Sequence, residues 1–304
     1  MAGKKNLIIV TGPTGSGKTE LSIQLAERLR TEIVSADSRQ IYRGIPIGTA
    51  APSAEQLSRV RHHFIATLGL DEYYSAARYE EEVLPLLDTL WQSHDYVVMC
   101  GGSMMYIDAI TNGIDELPTI TDAIRDYAIS LYHDGGLEAL HSKLKEIDPE
   151  SLKNCDPNNH RRLIHAIEIT LQAGVPASTL RTGKKKQRDF NILKMAIDYP
   201  RAELFERINR RVDAMITEGL EKEAAEVYHL RHFNSLNTVG YKEMFAMMEG
   251  TMDRETAIAR IAKNTRVYAK KQLLWLSKDD TVRYLDPHAP LLEQALTIIA
   301  DFLP

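Results

Sequence analysis

A parallel β-sheet covered by helices on both faces, interrupted by an all-helical insertion, is the fold class that this 304-residue chain predicts. Three observations point to it. Near the N-terminus a short apolar strand runs into a glycine-rich turn and then a helix. Strand-like and helix-like segments alternate through roughly the first hundred residues. A middle stretch then changes to helical texture with no buried strand.

The first strand, Leu7 to Val10, leads into "TGPTGSGKT". Gly12, Gly17, Lys18 and Thr19 fit the spacing G-x-x-x-x-G-K-[ST], and the strand before and amphipathic helix after supply the required context. Glycines at 12, 15 and 17 let the backbone turn sharply, so that the loop residues Pro13, Thr14, Gly15 and Ser16 wrap an oxyanion, with the N–H groups from Thr14 onward pointing at it at a helix N-terminus. Lys18 adds a point charge and Thr19 a hydroxyl suited to Mg²⁺. The loop is expected to bind phosphate, on a carrier that the loop itself does not specify.

After a helix over Glu20 to Arg30 come the strand in "EIVSADS", a loop rich in small residues, a helix over Ala76 to His94 and the strand "YVVMC". From Asp115 to Leu180 helices are separated by "DGG", "DPES" and "CDPNN". The strand "NILKMAIDY" resumes the sheet, followed by long helices over Ala202 to Arg231 and Asp253 to Ser277 and a short strand in "TVRYLDP". The expected organisation is a core in two parts, 1–114 and 185–304, around a helical insertion, 115–184.

Composition narrows the function. At 44% hydrophobic the chain can bury a sizeable core, and its two cysteines, Cys100 and Cys155, exclude a disulfide framework or zinc site. The basic start is followed by an apolar run too short for a signal peptide or membrane span, so a cytoplasmic protein is expected. The formal charge of −5 confines any nucleic-acid binding to local basic patches.

The stretch "SADSRQIYRGIPIGTA" places Asp37 at a strand end, on the carboxyl edge of the sheet where open α/β folds bind ligands. There a carboxylate can hold Mg²⁺ through water, accept a substrate hydrogen bond, act as a general base, or simply cap a turn. Ser38, Arg39 and Gln40 combine a hydroxyl, a guanidinium and an amide, a set suited to substrate recognition. The strand "YVVMC" lacks the terminal acid that positions Mg²⁺ for nucleotide hydrolysis and runs instead into Gly101, Gly102 and Ser103.

The segments "GPTGSGKT", "SADSRQIYRGIPIGTA", "GGSMMYI", "DPNNHRRLIHAIEI", "RINRRVDAMITEGL", "NTVGYKE" and "TRVYAKKQLLWL" occur in the order found in the tRNA dimethylallyltransferases, also called tRNA isopentenyltransferases. The chain resembles that family over nearly its whole length, with no Cys/His pair near the C-terminus for the zinc module of some eukaryotic relatives. The resemblance implies a P-loop core similar to small nucleotide kinases. It also implies transfer of a dimethylallyl group from dimethylallyl diphosphate to the exocyclic amine of the adenine beside the anticodon, with release of diphosphate and Mg²⁺ as cofactor.

Residue by residue, the resemblance gives Asp37 the role of base and Arg211 that of neutralising diphosphate, with Arg207, one turn earlier, as second candidate. It carries tRNA contacts onto Asp37, Ser38, Arg39, Gln40, Ser103, Arg125 and the run Arg161, Arg162, Leu163, Ile164 and His165. Many members have arginine where this chain has His165. Arg260, Lys263, Arg266 and Lys270 recur at helical spacing, with Lys271 and Trp275 adjoining; such a stripe is a solvated face or a phosphate-binding one. "RTGKKKQR" reads as a flexible basic connector. The expected partners are tRNA and dimethylallyl diphosphate, with no membrane and a monomeric state. Rival readings are a small-molecule or nucleotide kinase whose lid is the insertion, a tRNA-binding protein with a relict loop, and a transferase acting on free adenine nucleotides.

Overall fold

In a computed structural model, residues 5–302 are described. They divide into two compact units, one formed by Met1–Thr111 and Gln187–Pro304 and the other by Asn112–Lys186.

The first unit is built on a six-stranded, all-parallel sheet. In chain order its elements begin β1 (Asn6–Thr11), α1 (Lys18–Leu29), β2 (Ile33–Ser35), α2 (Pro46–Thr49), α3 (Ala54–Arg59), β3 (His62–His63), α4 (Ala76–Leu90), β4 (Tyr96–Cys100) and α5 (Met104–Asn112). The strand order across the sheet is β3-β2-β4-β1, continued by β5 (Asn191–Ile197) and β6 (Val282–Leu285). β1 is central, pairing with β4 at Val10↔Cys100 and with β5 at Thr11↔Ala196. Because helices cover both faces, alternate residues of one strand enter different cores, and the strands read as nearly continuous apolar runs. Leu7, Ile9, Val34, Val97 and Met99 pack on one side, with Tyr79 and Leu87 of α4. Ile8, Val10, Ile33 and Val98 pack on the other, with Leu21 and Leu25 of α1.

The second unit holds α6 (Asp122–Ile147), α7 (Pro149–Asn154), α8 (His160–Ala173) and α9 (Ala177–Leu180), around a core that includes Ala128, Leu140, Leu144, Leu163 and Ile167. The break read at "DGG" is a kink inside α6, where Gly136 takes φ 60° and ψ −150°. Asp148, 1% exposed, accepts hydrogen bonds from the backbone and hydroxyl of both Ser151 and Ser178, tying α7 to α9.

The remaining helices belong to the first unit: α10 (Arg201–Glu218), α11 (Leu220–Val227), α12 (Tyr241–Met248), α13 (Arg254–Leu276) and α14 (Leu291–Phe302). The single helix expected over Ala202 to Arg231 is two, because Gly219 adopts φ 105° and ends α10. The basic run "RTGKKKQR" also differs from a free connector at its last residue. Arg188 is clamped, its guanidinium donating to the carbonyls of Ile110 and Ala109 and to the Glu80 carboxylate at 2.7 Å. Among the described residues no helix is long and apolar enough to cross a membrane.

Candidate active site

The phosphate loop leaves the C-terminal end of β1 and closes on the N-terminus of α1. Gly12, Gly15 and Gly17 all have positive φ, and a side chain at Gly15 would press on Ile208 Cγ1 at 3.2 Å. The Ser16 amide closes a turn on the Pro13 carbonyl, and the Thr14 amide donates to Gln272 Oε1 at 3.0 Å. The amides of Gly15, Gly17 and Lys18 have no protein partner among the described residues. They are the donors free to meet an anion. The hydroxyl of Ser16, 0% exposed, is the one buried side-chain polar atom without a partner among the described residues.

Two cations and one carboxylate share the crevice beyond the loop. Burial pushes the Lys18 ammonium below its ordinary value; neighbouring Arg211 pushes it the same way, and Asp37 pulls it back up. Arg211, on α10, is likewise lowered by burial and drawn up by Asp37 and Glu218. These mutual influences put Lys18, Arg211 and Asp37 within electrostatic reach of one another, with positive charge in excess. Arg207 has a different job. Its Nε donates to the Gly15 carbonyl at 2.8 Å and its guanidinium lies 4.4 Å from the Tyr199 ring centre, so it braces the loop.

Asp37 follows β2 by two residues. Its Oδ1 accepts from the amides of Arg39 at 2.9 Å and Gln40 at 3.3 Å, so the turn-capping reading is realised at one oxygen. Oδ2 has no donor among the described residues and is left for a ligand. Ser103 locks the neighbouring turn: its Oγ accepts from the Ser38 amide at 2.8 Å and donates to the Ser38 hydroxyl at 3.1 Å. Arg39 and Gln40 are less available than their chemistry suggested. The Arg39 guanidinium donates to the carbonyls of Asn234 and Ser235, and the Gln40 amide to those of Thr49 and Ala50.

Cys100 ends β4, the apolar strand at whose end a nucleotide hydrolase carries an acid. Its thiol faces Thr19 and Ser22; burial pushes it up against the opposing pull of Lys18. A thiol held protonated in this way is unreactive and serves as a wall of the crevice.

The insertion presents its candidate residues on α6 and α8. Arg161 and Arg162 are exposed, while His165 Nδ1 lies 3.2 Å and Arg125 Nε 3.9 Å from the carboxylate of Glu168. Leu163 is 0% exposed in the insertion core, so its side chain is scaffold and drops out of the contact set; Ile164 is half-buried. On α13 Arg260, Lys263, Lys270 and Lys271 are exposed and form no ion pair among the described residues. Arg266 instead binds Asn209, and the Trp275 indole donates to Asp108.

Three functional neighbours escaped the sequence reading. Glu223, 6% exposed, accepts from the amides of Ile47 and Gly48, both at 2.8 Å, and from the Tyr241 hydroxyl, fixing the "PIGTA" turn. Tyr268 on α13, 38% exposed, has its phenol pushed up to about 12, chiefly by desolvation with a contribution from Asp37, which puts it within electrostatic reach of that carboxylate. Gln272 holds the phosphate loop. Their only sequence signal is position within helices, four residues apart for Tyr268 and Gln272.

Fold and site together define a P-loop-like α/β protein whose loop amides gather at a helix N-terminus beside a carboxylate. The chain belongs to the IPP transferase family, whose model matches residues 40–279. It is 50% identical over 283 residues to tRNA dimethylallyltransferase 1 of Bacteroides fragilis, spanning 93% of this chain and 94% of that relative. Among solved structures, the tRNA isopentenylpyrophosphate transferase of Bacillus halodurans matches with a TM-score of 0.72 and 33% identity, over 99% of this chain and 96% of the other. A eukaryotic dimethylallyltransferase acting on tRNA shares the fold at a TM-score of 0.81 and 23% identity, over 98% and 79% of the two chains.

Proposed function

We propose that the protein is a tRNA dimethylallyltransferase, moving the dimethylallyl group of dimethylallyl diphosphate onto the exocyclic amine of the adenine adjacent to the anticodon. The observation that carries this reading is the crevice itself: two half-buried cations, Lys18 and Arg211, around a carboxylate with one open oxygen, and no acid at the end of β4. Such a site suits loss of a diphosphate leaving group better than hydrolysis of a nucleotide. As the C1–O bond breaks, its electron pair leaves on diphosphate, whose charge Lys18, Arg211 and the loop amides neutralise. The adenine nitrogen bonds to C1 and its proton passes to Asp37 Oδ2. Reaching that nitrogen requires the base to leave its stack.

The residues present fit Mg²⁺ as cofactor. Among the described residues no cluster of three or more acidic, histidine or cysteine ligands exists, so Thr19 would hold the ion together with diphosphate oxygens and water, the sparse protein ligation that magnesium favours. Bound there it would supply charge neutralisation on the leaving group.

The deciding experiment offers the purified protein and Mg²⁺ labelled dimethylallyl diphosphate with unmodified tRNA or free AMP, and separately ATP with the same acceptors. Label is expected in tRNA alone, with ATP intact. Label confined to AMP, or ATP turnover coupled to an acceptor, overturns the reading.

The exposed cations of the insertion and of α13 support tRNA as the acceptor. Lys263→Ala and Arg162→Ala are each expected to weaken binding of all tRNA sequences alike and to reduce the salt slope of log affinity by about one. Thr19→Ala should spare tRNA binding and impair use of donor and Mg²⁺. Titrations against salt check this, and unchanged slopes in both cation variants return these faces to plain solvation.

A further inference from the structure

The Gln272 side chain, 3% exposed, spans two loops that are far apart in sequence. Its Oε1 accepts from the Thr14 amide at 3.0 Å and its Nε2 donates to the Gly102 carbonyl at 2.8 Å. Both ends of the carboxamide are thus satisfied, one by the phosphate loop and the other by the turn after β4. The fit is close. A Cβ at Gly102 would lie 2.3 Å from Gln272 Nε2, so glycine there is what admits the amide.

Beyond Gly102 the connections continue without a gap. The amide of Ser103 donates to the Ala36 carbonyl at 3.1 Å, and the Ser103 hydroxyl takes the Ser38 amide. Ala36 and Ser38 flank Asp37 in the chain. One hydrogen-bonded path therefore joins the loop that holds the leaving group to the loop that holds the base, and among the described residues Gln272 is its only side-chain link across the gap between Thr14 and Gly102. Gln272 also belongs to α13, which carries Tyr268 one turn earlier and the exposed Lys270 and Lys271.

We propose that Gln272 is a positioning residue that sets the distance between diphosphate loop and base loop, and hence between the allylic carbon and the attacking amine. This rests on the transferase reading above. Reacting atoms need to approach within about 3–3.5 Å in line, and a misplacement of about 1 Å can cost on the order of a hundredfold in rate. Thr14 donates its amide to Gln272, so Gln272 acts on the loop's position without taking a donor from the ligand-facing amides of Gly15, Gly17 and Lys18.

The test uses two variants of the full-length protein. In Gln272→Leu both contacts vanish. Single-turnover transfer at saturating substrates should fall at least about tenfold, while affinities for Mg²⁺-diphosphate and for tRNA stay within about threefold, because binding groups are untouched and alignment is lost. In Gln272→Glu the protonated carboxyl is isosteric with the amide: C=O accepts from Thr14, O–H donates to Gly102. Ionised, it repels the Gly102 carbonyl. Burial raises a carboxyl pKa, so the variant's rate divided by the wild-type rate should climb as pH is lowered between about 8 and 5. Asp37, Lys18, Cys100, Arg211 and Tyr268 face the site in both proteins, so the ratio to wild type isolates the effect of introducing the carboxyl. A Leu variant that loses affinity but keeps its saturated rate, or a Glu variant with a flat ratio, overturns the proposal. Should wild type transfer nothing to tRNA, the transferase reading fails by itself. The link is then read from hydrogen exchange at the Thr14 amide, which should be protected in wild type and released in Gln272→Leu; equal exchange in the two overturns it.

Discussion

Replacing Asp37 with Asn is expected to slow single-turnover transfer by about 10²–10⁴-fold, the usual contribution of a general base, while leaving tRNA affinity within a few-fold. The asparagine is the sharper variant because its Oδ1 can still accept from the Arg39 and Gln40 amides, so the turn survives and only proton acceptance is lost. Asp37→Ala removes both and should be at least as slow. Removing the carboxylate also deletes the one negative neighbour shared by Lys18 and Arg211. Each cation then loses an attraction that diphosphate can replace, so affinity for diphosphate should hold or tighten in both variants. Rapid-quench transfer with labelled donor, alongside equilibrium binding of diphosphate, measures the two effects separately. A near wild-type rate in Asp37→Asn rejects the assignment of the base, and a matching loss of diphosphate affinity reassigns Asp37 to the donor side.

Much of this site was legible before any coordinates. The phosphate loop declares itself because its function is local: glycines, lysine and threonine act at fixed spacing within one strand–turn–helix unit. Asp37 could be placed at the sheet edge because a strand end is visible in the pattern of apolar residues. The path through Gln272 was not legible, since its partners lie 258 and 170 residues away and a glutamine within a helix of lysines reads as solvent-facing. Glu223 was hidden for the same reason, a buried acid in an acidic helix that caps the amides of a distant turn. Arg39, Gln40 and Arg188 show the opposite effect. Their chemistry suits ligands, yet backbone carbonyls in the folded chain already occupy them, because polar groups near a core are satisfied by whatever backbone comes closest. Gly219 lies inside the helix expected over Ala202 to Arg231: a glycine in a long amphipathic stretch can be tolerated or can end the helix, and only its φ of 105° decides.

Gly101→Ala, just past the end of β4, is expected to damage both stability and chemistry. A Cβ at this position would sit 2.1 Å from the Ala36 carbonyl oxygen and 2.3 Å from its carbon, and backbone cannot rotate aside as a side chain can. The two segments are also bonded, Ala36 N–H to the Cys100 carbonyl at 2.7 Å and Ser103 N–H to the Ala36 carbonyl at 3.1 Å. To admit one methyl group the ends of β2 and β4 must part, at a cost of about 1–3 kcal/mol or more, as overpacking in a close-packed core demands. That parting moves Ala36, and Asp37 is the next residue. A shift near 1 Å at the base would remove on the order of a hundredfold from the transfer rate. Gly44→Ala makes the control: φ is 80°, but nothing lies within 4 Å of the added carbon, so strain of about 1–2 kcal/mol is the whole penalty and the rate should survive. Thermal melts and saturated single-turnover rates for the two variants distinguish the cases. If Gly101→Ala melts and reacts like wild type, the strand ends can separate without disturbing Asp37, and the tight contact at Ala36 does not position the base.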